Sequence, residues 1–234
     1  EFDTRQRFVE DWDVWLRFSR RYQFVGILDI LVRYRVVPGS LWCNPRGNLD
    51  GRLMVLNKHL GGAPAAPGNE LIHRAYASAY FRAAIEHLMV DDAESSYRCL
   101  LAAANLRPAL LTDRTAYYEL AVGGQARGER GAVNQLDLAA RQEQLLALIE
   151  RLAADAELTA AHPPVTEGKA QALWALAQLH YRAGDSKRAR EAWQAAGKLD
   201  SALLRDRAFL SFGMRTWLGA QQMARLKRLA RAKG

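Results

Sequence analysis

Residues 170–201, AQALWALAQLHYRAGDSKRAREAWQAAGKLDS, constrain this chain more than any other stretch. Two segments with helical spacing flank Gly184-Asp185. Leu176 and Ala177 put a large and a small residue side by side on the first. Ala189, Trp193 and Ala196 recur at helical spacing on the second. Glycine tolerates the left-handed backbone of a tight turn. The segment therefore predicts two antiparallel helices whose small residues permit close approach, with Leu199-Asp200 closing the unit.

Residues 77–108 repeat this pattern faintly. Tyr80, Ala83 and Ala84 occupy the first helix, and Ser96, Leu100 and Ala103 the second. Leu106 and Pro108 mark the end, and Asp91-Asp92 stands where Gly-Asp would be. The units resemble tetratricopeptide repeats, with Ser201 in place of the usual proline. That resemblance implies a surface for a protein partner. An irregular bundle with coincidental alanine spacing fits the same residues. Residues 112–156 could supply a degenerate pair between the units. Asn69 predicts a helix cap, with helices to about Val90, from Ala93 to Leu106, from Thr112 or Asp113, and from Ala132 to Ala156. GGAPAAPG, residues 61–68, breaks regular structure.

The 234 residues allow one large or two small domains, and 50% apolar with 25% charged residues is ordinary globular composition. No apolar run is long enough to span a bilayer and no secretory signal is visible. The first residue is Glu1, which predicts a processed product or a piece of a longer protein and carries no information on targeting. Cys43 and Cys99 lie far apart and read as ordinary thiols. His59, His73, His87, His162 and His180 are scattered and form no ligand or nucleophile motif. The formal charge of +8 comes from arginines spread through helices and a basic end from Arg225 to Lys233. That end could touch a membrane surface. Nucleic acid is disfavoured as a partner, since neither a zinc finger nor an aromatic-rich binding motif accompanies the charge.

Residues 1–60 differ from the rest. Glu10 and Asp11 open a predicted helix over 11–21 that carries Trp12, Trp15, Leu16 and Ser19 on helical spacing. Acidic residues often cap helices, and tryptophans on such spacing usually enter a core. Phe24-Val25-Gly26-Ile27 and residues 30–37 read as β segments. Ile30, Val32, Tyr34 and Val36 share one face, and Leu31, Arg33 and Arg35 the other. Pro38-Gly39 predicts a turn. A helix carrying Leu49, Leu53, Leu56 and Leu60 is predicted to start at Asn48 or Asp50.

Phe2-Asp3-Thr4, then Glu10-Asp11-Trp12-Asp13-Val14-Trp15-Leu16-Arg17, then Leu31-Val32-Arg33-Tyr34-Arg35-Val36-Val37-Pro38-Gly39-Ser40 resemble, in order and spacing, the C-terminal half of family 2 inverting glycosyltransferases of the GT-A fold. The resemblance covers about the first quarter of the chain. It implies a mainly α fold, with a short α/β remnant of a GT-A domain over 1–60, a linker over 61–69 and a tetratricopeptide-like domain over 70–234. It also implies Asp11, with Glu10 beside it, as the general base that deprotonates an acceptor hydroxyl. A carboxylate is ionised at neutral pH and can accept that proton. Trp12, Asp13 and Arg35 are the implied substrate-binding residues, although Arg33 and Arg35 fit a solvated strand face equally well. Val37 stands where the family often has a histidine near its metal. The family's divalent cation, Mn²⁺ or Mg²⁺, is held by an Asp-x-Asp motif in a nucleotide-binding half that these residues do not include. The implied partners are a nucleotide sugar and a glycan or lipid-linked acceptor. The implied location is the cytoplasm or the inner face of the membrane. The other reading is an interaction module without chemistry.

Overall fold

The computed structural model describes residues 1–32, 44–62, 69–123, 136–161 and 165–218. Its elements run α1 (Glu10–Ser19), α2 (Pro45–Leu60), α3 (Glu70–Met89), α4 (Ala93–Leu106), a 3-10 turn (Pro108–Thr112), α5 (Arg114–Val122), α6 (Leu138–Ala154), α7 (Ala156–Ala161), α8 (Val165–Arg182), α9 (Ser186–Leu199), a second 3-10 turn (Ser201–Arg205) and α10 (Arg207–Leu218). The protein is mainly helical, and no strand occurs among the described residues.

The helix starts follow local chemistry. Asn44 Oδ1 accepts from Gly47 N at 2.9 Å, with Pro45 at the first helical position. Pro45 lacks the N–H that would go unpaired there. The helix thus begins earlier than the expected Asn48 or Asp50. Asn69, Asp92, Asp113, Asp137 and Asp185 cap α3, α4, α5, α6 and α9 in the same way.

The chain divides into two compact units, Glu1–Arg107 and Pro108–Gly234. The linker expected over 61–69 lies inside the first unit. There Leu56 of α2 packs with Tyr76 and Ala79 of α3, and the Tyr76 hydroxyl donates to Asn57 Oδ1 at 2.5 Å. In the second unit Ala170 and Trp174 of α8, Ala196 of α9 and Phe209 of α10 form a core. Trp174 meets Phe209 edge-on at 5.1 Å, and Trp193 Nε1 donates to Phe209 O at 3.0 Å.

The faint sequence repeat extends further than the paired helices. Shifted by 93 residues, Ala93–Leu106 becomes Ser186–Leu199 and Pro108–Thr112 becomes Ser201–Arg205. Under the same shift the caps Asp92 and Asp113 fall on Asp185 and Asp206, and Ala109-Leu110-Leu111 on Ala202-Leu203-Leu204. Even the turns agree. Asp92 N donates to His87 O at 3.0 Å, as Asp185 N does to His180 O at 2.9 Å. Asp91 takes φ 58°, matching Gly184 at φ 88°. An aspartate there tolerates the left-handed region better than most residues, which is why the weaker copy keeps its turn without glycine.

The β expectation is corrected. Residues 24–32 form no regular element, and Val25, Leu28 and Ile30 are largely exposed. A strand needs a neighbour for its backbone hydrogen bonds, and no strand occurs among the described residues to pair with it. The α/β remnant is therefore not found among the described residues. Tyr34, Arg35, Val37 and the rest of 33–43, including Cys43, lie outside them. So do residues 63–68, 124–135, 162–164 and the basic end.

Candidate functional site

The candidate site is built on a segment laid across α2. Gly47 and Gly51 stand one helical turn apart and leave a groove on that helix. Phe8 fills it so closely that a Cβ on Gly47 would lie 2.5 Å from its ring. The buried Gln6 side chain donates to Phe8 O and, at 3.0 Å, to Gly51 O. Val9 then adopts φ 59° and caps α1 without a side-chain hydrogen bond. A β-branched residue in that region costs about 1–3 kcal/mol. The Phe8 and Gln6 contacts hold it, and so fix where Glu10 and Asp11 begin.

The result is a cleft of about 670 Å³. One wall is Glu10, Asp11 and Trp12 with Arg7, Phe8 and Val9; the other is Asn48, Arg52, Arg82 and Glu86. Glu10 and Asp11 are exposed, and Trp12 is 39% exposed. Asp11 Oδ1 accepts from Trp12 N at 2.9 Å, which orients the carboxylate. The opposite wall holds a buried pair. Arg52 donates to Glu86 through both terminal nitrogens, at 3.0 and 2.5 Å, and Arg82 Nε reaches the same carboxylate at 3.3 Å. Neither these arginines nor Glu86 stands out in the sequence, and Asn48 does so only as a possible helix start. Arg82 and Glu86 share the i, i+4 spacing of many surface helices, and Arg52 lies 34 residues from its partner.

Asp13 does not join this cleft, contrary to its expected place among the substrate-binding residues. Two residues turn an α-helix by about 200°, which carries Asp13 to the face opposite Asp11. It is 1% exposed. Lys58 Nζ and His59 Nε2 each lie 2.8 Å from Oδ1, and Arg17 Nη2 is 3.1 Å from Oδ2 without an aligned hydrogen bond. Lys58 also binds Asp3 at 2.9 Å. Asp13 thus ties α1 to the end of α2. Arg35 lies outside the described residues.

Burial pushes the Asp13 carboxyl up, but hydrogen bonds from Lys58 and His59 and the Lys58 and Arg17 charges outweigh it, so it titrates below an ordinary aspartate. Hydrogen bonds from Arg5 and then Lys58 hold Asp3 far below the same range. A carboxylate with a lowered folded pKa adds stability that is complete above its unfolded value of about 3.9 and fades as pH falls toward the folded one. The parent chain should therefore lose urea resistance more steeply than Asp13→Asn below about pH 4. Parallel urea midpoints for the two chains from neutral pH into acid would contradict this.

Gly51→Ala tests the groove. Its Cβ would fall 2.7 Å from Phe8 O and 2.8 Å from Phe8 Cβ. A backbone oxygen cannot rotate away, so the segment must lift. An open helical glycine gains about 1 kcal/mol on becoming alanine. Here a net loss of about 1–2 kcal/mol is expected in urea unfolding, with faster amide exchange around Val9.

Among the described residues no three His, Cys, Asp or Glu side chains converge as metal ligands. In the cleft, Glu86 is occupied by arginines and only Glu10 and Asp11 remain, a donor set that does not fit a divalent cation by itself. Cys99 is buried, and desolvation pushes its thiol up to about 11, with Asp92 and Glu86 adding to the shift. That is the opposite of an activated nucleophile. No helix of the described residues is long and apolar enough to cross a membrane. Comparison of the chain with known protein families, curated proteins and solved structures gives no match.

Proposed function

We propose that this cleft is the acceptor side of a nucleotide-sugar-dependent, inverting glycosyltransferase site, with Asp11 as general base. The carrying observation is the contrast along α1. Asp13 is buried and held by Lys58, His59 and Arg17, whereas Asp11, two residues earlier, is exposed on a cleft wall with no ion-pair partner among the described residues. A base must reach its substrate, and Asp11 is the aspartate that can. Asp11 takes the proton of an acceptor hydroxyl as that oxygen bonds to the anomeric carbon. The bond from that carbon to the nucleotide diphosphate breaks, and the diphosphate leaves with the electron pair. Glu10 supports the negative potential at Asp11, and Trp12 offers its ring to a sugar face.

The donor belongs to a nucleotide-binding half of a longer protein, which would also supply the Mn²⁺ or Mg²⁺ ligands. The exposed Val25, Leu28 and Ile30 support this reading, because a folded whole seldom leaves such a run uncovered. The test is sugar transfer by the longer protein and by these 234 residues alone. Turnover is expected only from the former; turnover by the 234 residues would sink the half-site reading.

The second reading, a protein-interaction module, draws on the duplicated helices. The Gly184 turn and the small residues Ala189 and Ala196 at 0% exposure support tetratricopeptide-like units. Catalytic loss on substituting Asp11 separates the two readings, since a pure interaction module has no activity to lose.

A further inference from the structure

We infer that the cleft carries a binding site for a phosphate-class anion between Arg7, on the same wall as Glu10 and Asp11, and Arg82 on the wall opposite. This deepens the glycosyltransferase reading by naming the substrate as an anionic one; that its hydroxyl meets Asp11 rests on that reading, and the anion site itself does not.

The argument is charge accounting within one cavity. Three guanidiniums and three carboxylates line it. Glu86 is shared by Arg52 and Arg82, and one carboxylate neutralises only one of them. Arg7 has no carboxylate partner among the described residues. Glu10 and Asp11 have no cationic partner there either, although three arginines line the same cleft. The arginines exceed their own carboxylate by two positive charges, and α1 presents two negative ones.

Arg52 is locked in its buried pair, so an incoming anion meets Arg7, which is exposed, and Arg82, whose side chain is 41% exposed. A guanidinium fork matches phosphate oxygens and keeps its charge at any working pH. The ligand that satisfies both sets of charges carries a hydroxyl for the carboxylates and a phosphate for Arg7 and Arg82, as a phosphorylated sugar does. The cleft volume suits a molecule of that size.

The experiment titrates this chain with glucose 6-phosphate, with UDP and with unphosphorylated glucose, followed by calorimetry at low and moderate salt. Saturable, salt-sensitive binding of a phosphate-bearing probe is expected, with none of glucose. Arg7→Gln and Arg82→Gln should each weaken it by about tenfold or more, the loss of a charge-assisted hydrogen bond. Both leave the Arg52–Glu86 pair intact, and circular dichroism checks the fold. Asp11→Asn should tighten binding by removing a like charge. Arg98→Ala, remote on α4 and paired with Glu94, should change nothing. Preference for glucose 6-phosphate assigns the anion to the acceptor, and preference for UDP to the donor diphosphate. No saturable binding, or binding indifferent to Arg7 and Arg82, overturns the inference. Such a result leaves the transfer assay on the longer protein to decide the catalytic reading independently.

Discussion

Glu86→Ala is expected to destabilise the first unit by about 3–5 kcal/mol, the usual cost of stripping one partner from a buried ion pair. The Glu86 and Arg52 side chains are 4% and 8% exposed, and their two hydrogen bonds are the bidentate kind. Removing the carboxylate leaves Arg52 desolvated with nothing to accept its protons, and leaves Arg82 beside it as a like charge. Arg52 cannot move out cheaply, because Gly51 next to it is pinned by Gln6 and Phe8. Hydrogen exchange of α2 and α3 amides is the right measurement, since a chain of two units need not unfold in one step. Arg52→Met with Glu86→Met should recover most of the loss, because an apolar pair of similar volume escapes the desolvation penalty. A loss below about 1 kcal/mol for Glu86→Ala would mean that the pair behaves as a solvated surface pair.

The second large effect is catalytic. In the longer protein that the proposed glycosyltransferase reading implies, Asp11→Asn should lower kcat by about 100- to 10,000-fold, the range for a positioned general base and equivalent to about 3–5 kcal/mol of barrier. Asparagine keeps the oxygen that accepts from Trp12 N, so the helix start survives while the proton acceptor is lost. Stability and acceptor KM should therefore change little. Glu10→Gln should cost less, since its carboxylate acts only through the local potential. Asp13→Asn supplies the contrast, lowering stability through the Lys58 and His59 contacts while chemistry in the folded fraction persists. Equal kcat losses for Asp11 and Asp13 would argue that both act through the fold, and the proposed base would fall.

Much of the helical fold was legible because its signals are local. The α9 boundaries follow from Asp185, which accepts from Arg188 N three residues on, and α4 follows likewise from Asp92 and Ser95. The repeat was visible as alanine spacing. Its continuation through Ala109-Leu110-Leu111 and Ala202-Leu203-Leu204 was also in the sequence, and was missed because it lies beyond the two paired helices. The β expectation over 24–27 and 30–37 failed in its described part, 24–27 and 30–32, for the complementary reason. Branched, apolar residues there satisfy a strand pattern, but a strand is completed only by a neighbour's backbone. The leucine stripe expected on α2 is found in part. Leu56 is buried against Tyr76 and Ala79 with Leu53 and Leu60 packed beside it, while Gly47, Gly51 and Val55 form a further buried set where Phe8 occupies the glycine groove.

The sequence by itself determined where the helices capped by Asn and Asp side chains begin and where their hairpins turn. Those outcomes depend on side chains within about four residues of the backbone groups they satisfy. Tertiary structure alone decided which acidic residue is free. Asp13 meets Lys58 and His59 across 45 and 46 residues, and Arg52 meets Glu86 across 34. No local pattern encodes such pairings, because each depends on how α1, α2 and α3 are set against one another. Their packing turned one aspartate of the Glu-Asp-Trp-Asp run into an internal tie and left the other on the cleft wall.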